Sequence, residues 1–268
     1  MRRVTQDVLI GAVFSLLCAL LSRALFFSTG APPAPAAQPK AAEPAWPELA
    51  QSATKVASYE IEAKLDTEHH RIAGRETIHF VNRSSAALNE LWFHLYLNAF
   101  KNDKTLFLRS PFGAGRSGDK AHEYGYVDVK KLTIVAGDGR DLWAERDRHS
   151  PDDPEDETDL RVPLPSPLEP GRTLDLELEF EDQLPELVER TGFVDNFHFM
   201  GQWFPKLARL LPSGAFAHFA FHAQSEFYAD FGDYDVSLDV PRGFRVGATG
   251  SRVRESETPD RTRLSYHA

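Results

Sequence analysis

Tyr59-Glu-Ile-Glu-Ala-Lys-Leu-Asp66 decides the fold class. Tyr59, Ile61, Ala63 and Leu65 alternate with Glu60, Glu62, Lys64 and Asp66. Successive side chains of a strand point to opposite faces, so this period of two predicts a strand with one dry and one wet side. The polar stretch Thr67–Arg71 reads as a turn, and Ile72–Asn82 as the returning strand of a hairpin, with Ile78 and Phe80 on one side. Further along, Leu174, Leu176, Leu178 and Phe180 alternate with Thr173, Asp175, Glu177 and Glu179. Tyr234, Val236, Leu238 and Val240 do the same with Asp235, Ser237 and Asp239. Leu91, Phe93, Leu95 and Leu97 alternate with Trp92, His94 and Tyr96, which predicts a strand buried on both faces. Val127–Val135 and Asp141–Trp143 flank Gly137-Asp138-Gly139, a hairpin signal. Leu184–Arg190 is the one helical candidate in this region. The expectation is an all-β domain, a sandwich or open β architecture over residues 53–268.

The preceding residues have a different character. Met1-Arg2-Arg3 is basic, and Val8–Phe27 is apolar apart from Ser15, Ser22 and Arg23. A spanning helix needs roughly 20 apolar residues, so residues 1–30 read as a signal-anchor, with a cleaved signal peptide as the alternative. The basic N-terminus would stay cytoplasmic, which exports the rest to the periplasm or cell surface. Cys18 is preceded by Leu17 rather than a small residue, which argues against a lipoprotein site. Residues 31–52 open as APPAPAAQPKAAEPAWP, a Pro/Ala-rich spacer that favours extended chain.

Composition excludes several classes of function. The 268 residues carry 30 basic and 40 acidic side chains, a net charge of −10, which opposes binding to a phosphate backbone. The lone cysteine excludes both an internal disulfide and a structural cysteine-zinc site. Gly113–Gly118 (GAGRSG) matches G-x-G-x-x-G, but Asp119–Tyr126 does not continue as the amphipathic helix that a pyrophosphate site requires. Glu145–Asp159 holds eight acidic residues and reads as a solvated loop; it lacks the spacing of a calcium-binding helix–loop–helix.

Catalytic signatures are also missing. His218-Phe-Ala-Phe-His222 has the outer spacing of H-E-x-x-H with phenylalanine in place of the general-base glutamate. On a strand its two histidines would stand roughly 13 Å apart, too far for one ion. His122-Glu-Tyr-Gly-Tyr126 lacks the second histidine, and no G-x-S-x-G or Walker sequence occurs. The aromatic-rich stretch from Phe193 to Tyr228 predicts core, or else a face that binds peptide or carbohydrate.

An ordered set of segments resembles the N-terminal domain of M1-family zinc aminopeptidases of the bacterial branch. The set comprises Tyr59–Asp66, Gly74-Arg-Glu-Thr-Ile-His-Phe-Val-Asn82, Glu90-Leu-Trp-Phe-His-Leu-Tyr-Leu-Asn-Ala-Phe100, Gln202-Trp-Phe-Pro-Lys206, Phe231-Gly-Asp-Tyr-Asp-Val-Ser-Leu-Asp-Val-Pro241 and Ala248-Thr-Gly250. The resemblance covers roughly residues 55–268. It implies a saddle-shaped, mostly antiparallel β domain that precedes a thermolysin-like domain. That second domain carries the zinc, the general-base glutamate and the G-x-M-E-N segment that grips the substrate's amine. None of these is present here, so the resemblance implies no catalytic residue, no metal ligand and no cofactor in this chain, and no peptide hydrolysis by it alone. It further implies that the loop before Trp203 faces the substrate's amino end, where Asp195 and Asn196 stand; the alternative is a loop capped by their own side chains. The expectation is a non-catalytic wall of a membrane-tethered aminopeptidase, truncated or split, with peptide and a catalytic domain as partners. The alternatives are a stand-alone extracytoplasmic binding or adaptor module, and an independent hydrolase built on His218, His222 or Glu226.

Overall fold

The computed structural model describes residues 55–110, 123–186, 190–224 and 227–268. All fall in the compact unit Leu49–Ala268; the second unit, Met1–Glu48, contains no described residue. The apolar run Val8–Phe27, the Pro/Ala-rich spacer, the glycine motif 113–118, His122 and Glu226 therefore lie outside the described residues. Among the described residues no helix is long and apolar enough to cross a membrane.

The architecture is mainly β. Strands β1 (Ala57–Asp66) and β2 (Arg71–Val81) form the expected hairpin. Together with β4 (Tyr126–Ile134), β6 (Thr173–Gln183), β12 (Tyr234–Pro241), β13 (Ser251–Glu257) and β14 (Arg261–His267) they make a seven-stranded sheet. Its order is β13-β14-β12-β1-β2-β6-β4. The alternation read from the sequence sets its two faces. Ile61, Ile72, Ile78, Leu176 and Leu178 point to the interior and are at most 1% exposed, while Glu60, Glu62, Arg75 and Glu179 face water. Each such apolar side chain contributes roughly 1.5–3 kcal/mol by leaving water.

Smaller sheets cover the inner face. β3 (Leu88–His94) lies between β5 (Asp159–Leu168) and β9 (Lys206–Leu207). β10 (Arg209–Leu210) pairs with β11 (Phe216–Ala217), and β7 (Thr191–Val194) with β8 (Phe197–Met200). Aromatic contacts join the layers: Trp203 meets Phe180 at 6.0 Å between centroids, Phe204 meets Tyr59 at 5.9 Å and Phe216 meets Phe80 at 6.5 Å. A four-residue helix, α1 (Leu106–Arg109), is capped by the Thr105 hydroxyl, which accepts from Leu108 N.

The expectation fails in six places. The strand expected through Leu97 ends at His94, and Tyr96–Phe100 winds into a 3₁₀ turn whose residues are all buried. The large sheet is mixed rather than antiparallel, because β1 and β12 run parallel, with Tyr59 opposite Tyr234. The Gly137–Gly139 hairpin does not form. The Asp141 carboxylate accepts from Leu132 N and Trp143 N at 3.0 and 3.1 Å and winds Leu142–Glu145 into a 3₁₀ turn. Leu184–Glu186 is not helical; Glu186 makes a β-bridge to Phe193, and residues 187–189 lie outside the described set. Only Phe216–Ala217 of the expected strand through His222 pairs with a neighbour. Finally, the acidic loop 145–159 is not simply solvated. Asp153, Asp156 and Asp159 are buried, because Asp156 accepts from the Ser150 hydroxyl at 2.9 Å and from the Thr158 and Leu106 amides at 2.8 and 3.1 Å.

Candidate functional site

The sequence-predicted residues Asp195 and Asn196 form the two-residue turn of the β7–β8 hairpin. Asp195 has φ of 50°, a conformation that Asp and Asn tolerate better than other side chains. Both turn residues are exposed, and so are Val194, Phe197 and Phe199 beside them, at 48%, 60% and 45%. The arm thus presents an apolar surface with a polar tip. Isolated exposed apolar side chains are ordinary, but a cluster of three on one short hairpin marks an interaction surface.

Directly after the arm, the chain turns at Gln202 (φ 55°) into the Trp203–Lys206 segment. This segment is fastened to the large sheet by a polar group set among rings. Lys206 Nζ donates to Gln202 Oε1 at 2.9 Å and lies 4.8 Å from the Phe204 ring centre and 5.8 Å from that of Tyr234. Burial pulls its pKa down to about 8, against the opposing pull of Glu76, so it remains a cation at neutral pH. Glu76 projects from β2 into the core and neither carboxylate oxygen has a hydrogen-bond partner. Asp182 on β6 is in the same position. Burial raises both carboxyls well above their usual range; Lys206 draws Glu76 back, while Glu76 raises Asp182 further.

A second polar group lies under β3. His94 is fully buried, stacks on Tyr96 at 4.8 Å and has no hydrogen-bond partner on either ring nitrogen. Its Nδ1 stands 3.8 Å from Asp159 Oδ1. The other oxygen of Asp159 pairs with His218 Nδ1 at 2.8 Å, and the His218 ring lies flat on Trp92 at 3.4 Å. Burial, and then the charges of His218 and Lys206, lower the His94 pKa to about 3. Burial raises that of Asp159 to about 6, opposed by the His218 hydrogen bond. The result is a neutral imidazole and a carboxylate held by a partly exposed histidine.

The structure therefore joins His218 to Asp159, not to His222. Glu226 lies outside the described residues. Among the described residues no group of three or more His, Cys, Asp or Glu side chains is placed to hold a metal ion. Asn82 is a scaffold residue. Its amide donates to the Ala86 and Leu168 carbonyls, both at 2.8 Å, and its Oδ1 accepts from the Ser84 amide and hydroxyl. Glu76, Asp182 and Lys206 were not singled out by reading the sequence, although a charge on the apolar side of an alternating strand is a visible signal.

No protein-family model matches the chain, and no curated protein matches it. Among solved structures, the M1 zinc metallopeptidase from Deinococcus radiodurans matches with a TM-score of 0.43 and 14% identity, over 80% of this chain and 38% of that one. A mutant of that metallopeptidase bound to a Tyr-Ser-Ala substrate matches with a TM-score of 0.44 and 16% identity, again over 80% and 38%. The chain spans less than two-fifths of the length of these structures.

Proposed function

We infer that the chain is the non-catalytic β domain of an M1-type zinc aminopeptidase and walls the peptide cleft of a thermolysin-like domain. The observation that carries this reading is the β7–β8 arm, whose exposed Val194, Phe197 and Phe199 adjoin the Gln202–Lys206 segment. That segment belongs to the ordered set of sequence segments resembling such domains. A zinc peptidase needs a shaped, partly closed cleft to place the substrate's amine, and a stiff β wall supplies one side of it. In this reading the apolar arm packs on the catalytic domain and Asp195 and Asn196 stand at the cleft edge, as acceptors for the amine. Arg2, Arg3 and the apolar run Val8–Phe27 support tethering to a membrane, with the β domain exported.

The test combines the full chain with the zinc-loaded catalytic domain of an M1 peptidase from the same organism, expressed without its own β domain. The expected result is a one-to-one complex and faster cleavage of aminoacyl-nitroanilides. Phe197→Asp with Phe199→Asp should abolish both. A lack of both association and stimulation with the unaltered chain overturns the reading. Zinc-dependent, chelator-sensitive cleavage by the chain alone would overturn its non-catalytic part. Exposure of the domain to protease added outside intact cells, and its retention in washed membranes, test the tether.

A further inference from the structure

Two histidines far apart in sequence meet where the β1–β2 turn touches the β7–β8 arm. His70 Nδ1 lies 3.0 Å from His198 Nε2, and the two ring centres are 5.2 Å apart with a 36° tilt. Both residues are half-buried.

Each ring is held by its surroundings. His70 sits at φ 52° at the end of the turn, and its carbonyl accepts from Leu184 N at 2.9 Å. Its ring stacks flat on Phe193 at 3.5 Å, with an interplanar angle of 2°. Phe193 is the strand partner of His198 in the β7–β8 ladder, so the ring that orients His70 and the strand that carries His198 move together. On its other side His198 meets Phe244 at 6.2 Å.

This separation suits more than a hydrogen bond between rings. Two imidazole nitrogens, each about 2.0–2.1 Å from one tetrahedral ion, stand roughly 3.3 Å apart. A small rotation of either ring converts 3.0 Å to that value.

We propose that His70 and His198 form a binding site for a borderline transition ion — zinc, nickel or copper(II) — with water in the remaining positions. Imidazole nitrogen is the ligand these ions share, and among the described residues no carboxylate completes the set as it would for calcium or magnesium. With two protein ligands the site is of modest affinity, and the bound ion clamps the arm to the β1–β2 turn. The site stands whether or not the chain serves a peptidase.

The test titrates the metal-stripped full chain with copper(II), zinc or nickel at pH 7.5 by calorimetry, with electron paramagnetic resonance of the copper form. His70→Asn keeps a residue tolerated at positive φ, and His198→Gln keeps a polar strand residue. The expected result is one saturable ion per chain, a copper spectrum showing two nitrogen ligands, and at least tenfold weaker binding in either variant. His79→Gln, which removes the histidine paired with Asp175, should leave binding unchanged. Circular dichroism establishes that each variant is folded. No saturable binding by the unaltered chain, or equal binding by both folded variants, overturns the proposal.

Discussion

Gly74 and Phe180 face each other across β2 and β6, and the phenyl ring occupies the space where a side chain on Gly74 would begin. This close approach lets the ring lie against the strand backbone and reach Trp203, 6.0 Å away. Gly74→Ala should therefore destabilise the domain by about 1–3 kcal/mol, the usual cost of overpacking. Phe180→Leu should restore part of that loss in the double variant, a coupling of at least ~1 kcal/mol. Urea denaturation of the four proteins checks it; additive effects would show that the ring yields freely.

His94 should make the domain acid-sensitive. Its pKa is about 3 when folded, against 6.5 for the ordinary imidazole. The unfolded chain thus takes up a proton that the folded one refuses, so the stabilisation is complete above about 6.5 and is lost as pH falls toward 3. Asp159 acts in the opposite sense. Its folded pKa of about 6 exceeds the ordinary 3.8, so its contribution is full below that range and fades as pH rises through it. His94→Phe removes the first effect and leaves the second. The difference between variant and parent should grow on acidification by on the order of 1.4 kcal/mol per pH unit within the His94 window. Parallel stability curves between pH 7 and 4.5 would refute it.

Lys206 tests the fastening of the segment after the arm. Lys206→Met keeps the aliphatic stem but loses the Gln202 hydrogen bond and the contacts with two ring faces, a loss of about 2 kcal/mol. Glu76→Leu removes a buried carboxylate that has no hydrogen bond, so added to Lys206→Met it should recover about 1 kcal/mol or more. Thermal unfolding of both variants and their combination measures the coupling.

Phe197→Ser with Phe199→Ser addresses the arm. Both side chains are largely exposed, so stability should change by only ~0.5–1 kcal/mol. Binding of the full chain to the zinc-loaded catalytic domain, followed by sedimentation, should weaken. A large loss of stability would mean that the arm packs within the domain instead of serving as a contact surface.

The hairpin of β1 and β2 and the strands β6 and β12 were legible because apolar and polar side chains alternate in each. The same alternation also displays Glu76 after Ile72 and Gly74, and Asp182 after Leu178 and Phe180, as charges on the dry side. Charge alone points to the wet face, so only the position of these two within the alternation places them on the dry side. The parallel pairing of β1 with β12 could not be read, since alternation fixes a strand's faces and says nothing of its neighbours. The acidic loop misled because composition counts carboxylates and ignores the Ser150 and Thr158 hydroxyls that capture Asp156. His70 and His198 are 128 positions apart, so only the folded chain brings them together.

β1 lies between β2 and β12 at the middle of the large sheet. During synthesis β1 leaves the ribosome well before β12, which follows only after some four-fifths of the described chain has been made. At ~5–20 residues per second the nascent hairpin keeps one flank unsatisfied for on the order of ten seconds. Such a flank can recruit a second polypeptide before its own mate arrives, so yield in a cell should depend on chaperones that shield unfinished chains.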